Sequence, residues 1–177
     1  MQLELLSQSD LETLSGLIKD ARNIIVCCHK SPDGDAIGSS LAWADYLRQV
    51  GKDPLVIVPD AFPDFLRWMP GVEKVMRYDK HTALCNARMA EADLIFCLDF
   101  NATSRVDDMQ QALDKATAQR VVFDHHLNPQ INARLLVSFP LMSSTCEIVF
   151  RIVWQLGGFD LLTRQAAVAV YCGMMTD

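Results

Sequence analysis

Four short runs in this chain are apolar at every position: residues 24–28 (Ile-Ile-Val-Cys-Cys), 55–58 (Leu-Val-Ile-Val), 94–98 (Leu-Ile-Phe-Cys-Leu) and 121–123 (Val-Val-Phe). Extended backbone sends successive side chains to opposite faces, so a run without alternation must be buried on both. Sheets of that kind are parallel, with crossover helices over each face. Segments of helical period stand between the runs, as this requires. Ser9-Asp10-Leu11-Glu12 has the form of a capping box, and Leu11, Leu14, Leu17 and Ile18 then share one face. A helix is expected over 36–50, with Ile37, Leu41 and Ala44 inward and Gly51 as its stop. Further helices are expected at 64–69 (short), 83–92, 104–118, 145–156 and 162–175, and further strands at 72–78 and 135–139. The expected fold class is α/β: a three-layer sandwich around a mostly parallel sheet.

Length and composition then limit what such a sheet can serve. At roughly 100–200 residues per domain, 177 residues make one domain. With 50% apolar and 21% charged residues, the chain is neither disordered nor fibrous. No apolar run approaches the ~18–20 residues of a membrane helix, and the first ten residues lack the basic and apolar parts of a signal peptide. The six cysteines (Cys27, Cys28, Cys85, Cys97, Cys146 and Cys172) include no CxxC pair. They read as reduced, mostly buried thiols of a cytoplasmic protein. A net charge of −6 argues against a grip on long nucleic acid through overall charge. It leaves room for a phosphate substrate, because bound cations reverse a local field.

What ends the strands is more informative than what fills them. His29 follows the first run and leads into Ser31-Pro32-Asp33-Gly34-Asp35; Asp99 follows residues 94–98; Asp124-His125-His126 follow 121–123. In an open parallel sheet, ligands bind outside the carboxyl ends of the strands, so these residues are expected at one edge. Taken singly, each has a plainer role: Asp35 and Asp99 as helix caps, Asp33-Gly34 as a turn, His29 as a hydrogen-bonded strand end. Adjacent histidines on extended backbone point apart, so His125 and His126 are not expected to share one metal. Carboxylates converging in this number repel unless a cation lies among them. Carboxylate and imidazole donors suit Mn²⁺, Mg²⁺ or a similar divalent ion, and a structural zinc site is not expected because no cysteine stands at a ligand position. Two such ions sharing a carboxylate can clamp a phosphoryl group and activate a bridging water, the chemistry of phosphoester hydrolysis. There is no GxGxxG, GK[ST] or GxSxG motif, so dinucleotide binding, a P-loop and a serine elbow lack support.

At this point the motifs resemble those of the DHH phosphoesterase superfamily. His29-Lys30-Ser31-Pro32-Asp33-Gly34-Asp35-Ala36-Ile37-Gly38-Ser39 is similar to its first motif, and Asp99 within Phe96-Cys97-Leu98-Asp99-Phe100 to its second. Asp124-His125-His126 is the triplet that names the superfamily, and Gly173-Met174-Met175-Thr176-Asp177 resembles the fourth motif. The resemblance implies that residues 1–177 are an N-terminal catalytic DHH domain. Two Mn²⁺ ions (Mg²⁺ or Co²⁺ as alternatives) would then be held, one by His29, Asp33, Asp99 and Asp177 and the other by Asp35, Asp99 and His125. Asp99 would bridge them, His126 would face the substrate phosphate, Arg105 would contact phosphate, and Asp124 would support the histidines from behind. Ser143-Ser144-Thr145, with Glu147 beyond, resembles a segment that opens a helix near the site, and capping is its expected role.

Within the superfamily the first motif most resembles the bifunctional oligoribonuclease and pAp phosphatase group. The implied substrates are short RNA oligonucleotides or 3′-phosphoadenosine 5′-phosphate (pAp). A cyclic-dinucleotide phosphodiesterase and a non-catalytic sensor of metal and nucleotide are the alternatives. No membrane partner is implied, and a homodimer is compatible with the resemblance. That family normally continues into a C-terminal substrate-binding domain of the DHHA1 type, so the chain is expected to be part of a longer protein.

Overall fold

The computed structural model describes residues 4–177. Its elements run α1 (Gln8–Asp20), β1 (Ile24–Cys27), α2 (Gly34–Gln49), β2 (Leu55–Val58), β3 (Met76–Arg77), α3 (Thr82–Glu91) and β4 (Leu94–Leu98). They continue with α4 (Gln110–Lys115), β5 (Gln119–Asp124), β6 (Leu135–Ser138), α5 (Thr145–Gln155) and α6 (Arg164–Thr176). The six strands form one sheet in the order β3-β2-β1-β4-β5-β6, and every pairing is parallel. The strand order reverses between β1 and β4. The chain builds outward from β1 to β3, then returns to lay β4 on the other side of β1, which opens a crevice at their carboxyl ends.

Both faces of the sheet are covered, as strands without alternation require. Val26, Phe96 and Phe123 face a core shared with α1, α2, α5 and α6. Their neighbours Cys27, Cys97 and Val122 face the core under α3 and α4. Trp43 of α2 is fully buried on the first face, edge-on to Phe96 (centroids 5.1 Å apart, 68°) and Phe123 (5.0 Å, 82°). Such edge-to-face contacts bring the positive ring edge onto a negative ring face. All six cysteines are buried and free, in keeping with the expected thiols. No helix among the described residues is long and apolar enough to cross a membrane.

Several boundaries differ from expectation, each for a local reason. The cap of α1 is Ser7 rather than Ser9: its hydroxyl accepts from the Asp10 amide (3.1 Å) and donates to the Asp10 carboxylate (2.7 Å). The expected strand at 72–78 is reduced to Met76–Arg77, because Gly71 (φ 90°) starts a 3-10 turn over Val72–Lys74. The helix expected at 104–118 is a 3-10 segment, Thr103–Met109, followed by the short α4. The break falls at Asp107 (φ 48°, ψ −124°), whose carboxylate is ion-paired with Lys30. The last helix begins at Arg164, where the Thr163 hydroxyl caps the Ala166 amide (3.1 Å) and donates to Asp45 (2.7 Å). The second helix begins at Gly34, two residues early, with Asp33 capping the Ala36 amide at 2.9 Å. This last shift matters most, because it moves Asp35 from a loop into the first turn of a helix.

The helices α2, α5 and α6 meet closely around two glycines. A Cβ built on Gly38 would lie 2.5 Å from the Ala169 carbonyl of α6 and 3.0 Å from the Cys146 sulfur of α5. Replacing a mid-helix glycine by alanine gains about 1 kcal/mol in helix propensity. Overpacking against a fixed backbone carbonyl costs about 1–3 kcal/mol, and this term prevails where neither helix can withdraw. Gly38→Ala is therefore expected to lower stability in urea denaturation; a stabilised variant would show that α6 is free to move away.

Candidate metal centre

Three strand ends and two helix ends meet at the crevice. His29 and Asp33 follow β1, Asp99 follows β4, and His125 and His126 follow β5. Asp35 comes from the first turn of α2 and Asp177 from the end of α6. Asp99 is central. It has a left-handed backbone (φ 65°), and its amide donates to the Phe123 carbonyl at 2.9 Å. Aspartate tolerates this region better than most residues, yet a conformation of this kind persists only where its surroundings over-determine it. The twist divides the carboxylate between two sides. Oδ2 is 3.5 Å from His29 Nε2, and Oδ1 is 3.5 Å from His125 Nε2.

Each imidazole is oriented by its other nitrogen. His29 Nδ1 donates to the Lys30 carbonyl (2.7 Å), His125 Nδ1 to the Met142 carbonyl (3.3 Å), and His126 Nδ1 to Asp124 Oδ1 (2.7 Å). These bonds leave Nε2 of His29 and His125 facing the acids, the arrangement common behind metal-binding histidines. The two adjacent histidines lie closer than expected, with rings 4.9 Å apart, because β5 ends at Asp124 and strand alternation stops there. They nonetheless offer different atoms. The nitrogen of His126 near Asp99 is Nδ1 (3.8 Å), already committed to Asp124, so Nε2 is the one left for a ligand. Asp124 is fully buried, and its Oδ2 has no hydrogen-bond partner.

Three groups have ligating atoms within 4.8 Å of one another: His29, Asp33 and Asp99; Asp35, His125 and Asp177; and Asp99, His125 and His126. Among the described residues, the ion pairs of Asp33, Asp35, Asp99 and Asp177 are all with imidazoles. Hard oxygen donors with imidazole nitrogens, and no thiol among them, fit a divalent ion of the Mn²⁺ or Mg²⁺ type. Asp177 is placed differently from expectation: it joins Asp35 and His125 rather than His29 and Asp33. The cause is the close packing of α6, where a Cβ built on Gly173 would come 3.1 Å from Asp35 Oδ1. Asp177, one turn further, is delivered beside Asp35. Arg105 belongs to none of the three groups. Its carbonyl accepts from the Lys30 amide (2.8 Å), and its side chain is exposed.

The start of α5 holds more of the site than capping requires. Ser144 caps the helix as expected, accepting from the Glu147 amide at 3.1 Å. The next two amides, of Thr145 and Cys146, donate to Asp35 Oδ2 (2.6 Å) and Oδ1 (2.8 Å), and the Thr145 hydroxyl donates to Asp99 Oδ1 (2.9 Å). The serine-rich capping signal marks the helix start, but nothing local in the sequence shows that it is aimed at two aspartates more than forty residues away.

The electrostatics follow from crowding. Burial and then the charge of Asp99 raise the Asp35 carboxyl to about 7, and the hydrogen bonds from α5 only partly oppose this. Burial disfavours the charged form of His29, but the nearby carboxylates of Asp33 (3.7 Å) and Asp99 (3.5 Å) outweigh it and raise the imidazole to about 10. The same contact with His29 lowers Asp33 to about 2. Burial also raises Asp177.

An α/β domain with a carboxylate and imidazole centre at the switch point of a parallel sheet is thereby defined. The chain belongs to the DHH family: the profile of the DHH family, N-terminal domain, matches residues 23–174. It is similar to the crystal structure of an exopolyphosphatase-related protein from Bacteroides fragilis, with 40% identity and a TM-score of 0.95, covering 97% of this chain and 51% of that one. It is 30% identical over 169 residues to the bifunctional oligoribonuclease and PAP phosphatase NrnA of Thermus thermophilus, covering 87% of this chain and 43% of the relative. It is 26% identical over 174 residues to the cyclic-di-AMP phosphodiesterase PdeA of Listeria monocytogenes, covering 94% and 26% respectively. The chain thus spans between a quarter and about half the length of these relatives.

In the metal-free protein the upward shift of Asp35 has a definite sign. A carboxyl raised from 3.8 to about 7 contributes stability that is fully present below its unfolded value and is lost as pH rises through 7. Asp99→Asn removes the neighbouring charge, so carboxyl ¹³C NMR of metal-free protein is expected to show Asp35 titrating near 7 in the wild type and lower in the variant. An unchanged midpoint would mean that burial alone sets it.

Proposed function

We propose that this chain is the catalytic domain of a divalent-metal-dependent phosphoesterase acting on short oligoribonucleotides, on pAp, or on both. The observation that carries the reading is the division of Asp99, whose two oxygens face separate donor groups 3.5 Å from His29 and from His125. Two Mn²⁺ ions would be held by His29, Asp33 and Asp99 on one side and by Asp35, Asp99, His125 and Asp177 on the other. Mg²⁺ or Co²⁺ would suit the same donors. Such ions lower the pKa of water to near neutrality and offset charge on phosphoryl oxygens.

The chain's own residues supply the rest. Asp124 holds the His126 proton on Nδ1 when the ring is neutral, and a protonated ring donates from Nε2 toward a phosphoryl oxygen. Asp124 is a positioning residue in this reading and touches no substrate. Arg105 is exposed, its backbone fixed by Lys30, and offers a guanidinium to a second phosphate. The strand ends and α2 place these groups on rigid elements, so little reorganisation is needed when substrate binds. The similarity to NrnA supports RNA fragments and pAp as substrates, and the free thiols support a cytoplasmic location.

Hydrolysis of pAp, of a 5′-labelled RNA dimer and of cyclic di-AMP is the test, each with Mn²⁺ and with chelator. Turnover of the first two is expected, with its loss on chelation and in Asp99→Asn. Equal turnover in wild type and Asp99→Asn would overturn the shared-carboxylate reading. Faster cleavage of cyclic di-AMP than of both others would assign the chain to the cyclic-dinucleotide phosphodiesterases. Tight Mn²⁺ binding without turnover of any phosphoester would make it a sensor.

A further inference from the structure

We propose that Thr145 is a positioning residue that fixes the plane of the Asp99 carboxylate and so keeps its two oxygens assigned to opposite sides of the centre. The inference rests on the metal-binding reading above and deepens it. Thr145 is fully buried at the first position of α5. A hydroxyl there ordinarily bonds to nearby backbone. In this protein it donates to Asp99 Oδ1 at 2.9 Å, across 46 positions of sequence, while the amide of the same residue donates to Asp35 Oδ2 at 2.6 Å. One residue therefore touches both fully buried aspartates.

The hydroxyl suits this task for three reasons. It adds no charge, so the negative charge of Asp99 stays available to cations, whereas a lysine or arginine would neutralise it. The terminal torsion of aspartate is broad and roughly two-fold, so an unanchored carboxylate has no fixed plane. A donor on Oδ1 selects one plane and still leaves that oxygen a free lone pair. The β-branch of threonine restricts χ1, so the donor is held where it is needed.

Thr145→Val keeps the shape and the amide bond to Asp35 and removes only the hydroxyl. Mn²⁺ binding, followed by EPR of the free ion and by calorimetry, is expected to weaken about ten- to a hundredfold for one of two ions. The ion affected is the one on the Asp35, His125 and Asp177 side. Thr145→Ser is expected to bind both ions like the wild type, and Thr145→Ala, a second variant without the hydroxyl, to behave like Thr145→Val; circular dichroism confirms that each is folded. Two ions bound at wild-type affinity in the folded Thr145→Val or Thr145→Ala protein would overturn the inference and leave the metal reading intact. Equal weakening in Thr145→Ser would overturn it as well, since packing rather than the hydroxyl would then be responsible. A wild-type protein that binds no Mn²⁺ would overturn the metal reading and this inference with it.

Discussion

Two carboxylates buried against each other, Asp35 and Asp99, are the constraint from which the rest of this structure follows. Both have almost no exposed surface, and the charge of one helps raise the other to about 7. Two such acids side by side need hydrogen-bond donors or cations around them, and the structure surrounds the pair with donors. The first amides of α5 bond to Asp35, the Thr145 hydroxyl bonds to Asp99, and the His29 imidazole lies against Asp33 and Asp99. A buried charge without compensation costs several kcal/mol, and these contacts offset that cost at the site.

That requirement explains the tight packing on one face of the sheet. The amides of α5 reach Asp35 only because α2, α5 and α6 approach closely, and Gly38 and Gly173 allow it by carrying no Cβ where Ala169, Cys146 and Asp35 stand. The same approach delivers Asp177. The opposite face, under α3 and α4, buries Cys27, Cys97 and their neighbours and holds the strand ends in register. Precision is thus concentrated where the charges are, on elements that cannot shift independently.

Much of this was legible in the chain itself. Unalternating apolar runs are possible only in a sheet covered on both sides, so the parallel architecture followed from pattern alone. Polar residues directly after those runs had to arrive at one edge, which located His29, Asp33, Asp35, Asp99, His125 and His126 before any coordinates. Less legible were the elements whose form depends on single backbone angles. The turn at Gly71 shortened β3, and Asp107 divided a helix that side-chain periodicity alone would have continued. The family profile matches residues 23–174, which hold these strand ends, while the chain spans at most about half of its longer relatives.

By itself, then, the sequence determined the fold class, the edge at which chemistry collects and the residue types gathered there, because these depend on strand periodicity and on what terminates each strand. Only the tertiary structure decided which carboxylate faces which imidazole, that Asp177 stands with Asp35 rather than with Asp33, and that α5 begins at the centre of the site. Those outcomes depend on helices separated by over a hundred residues packing to within a Cβ of one another. No local propensity encodes a distance of that kind; it is set by the volumes that meet in the core.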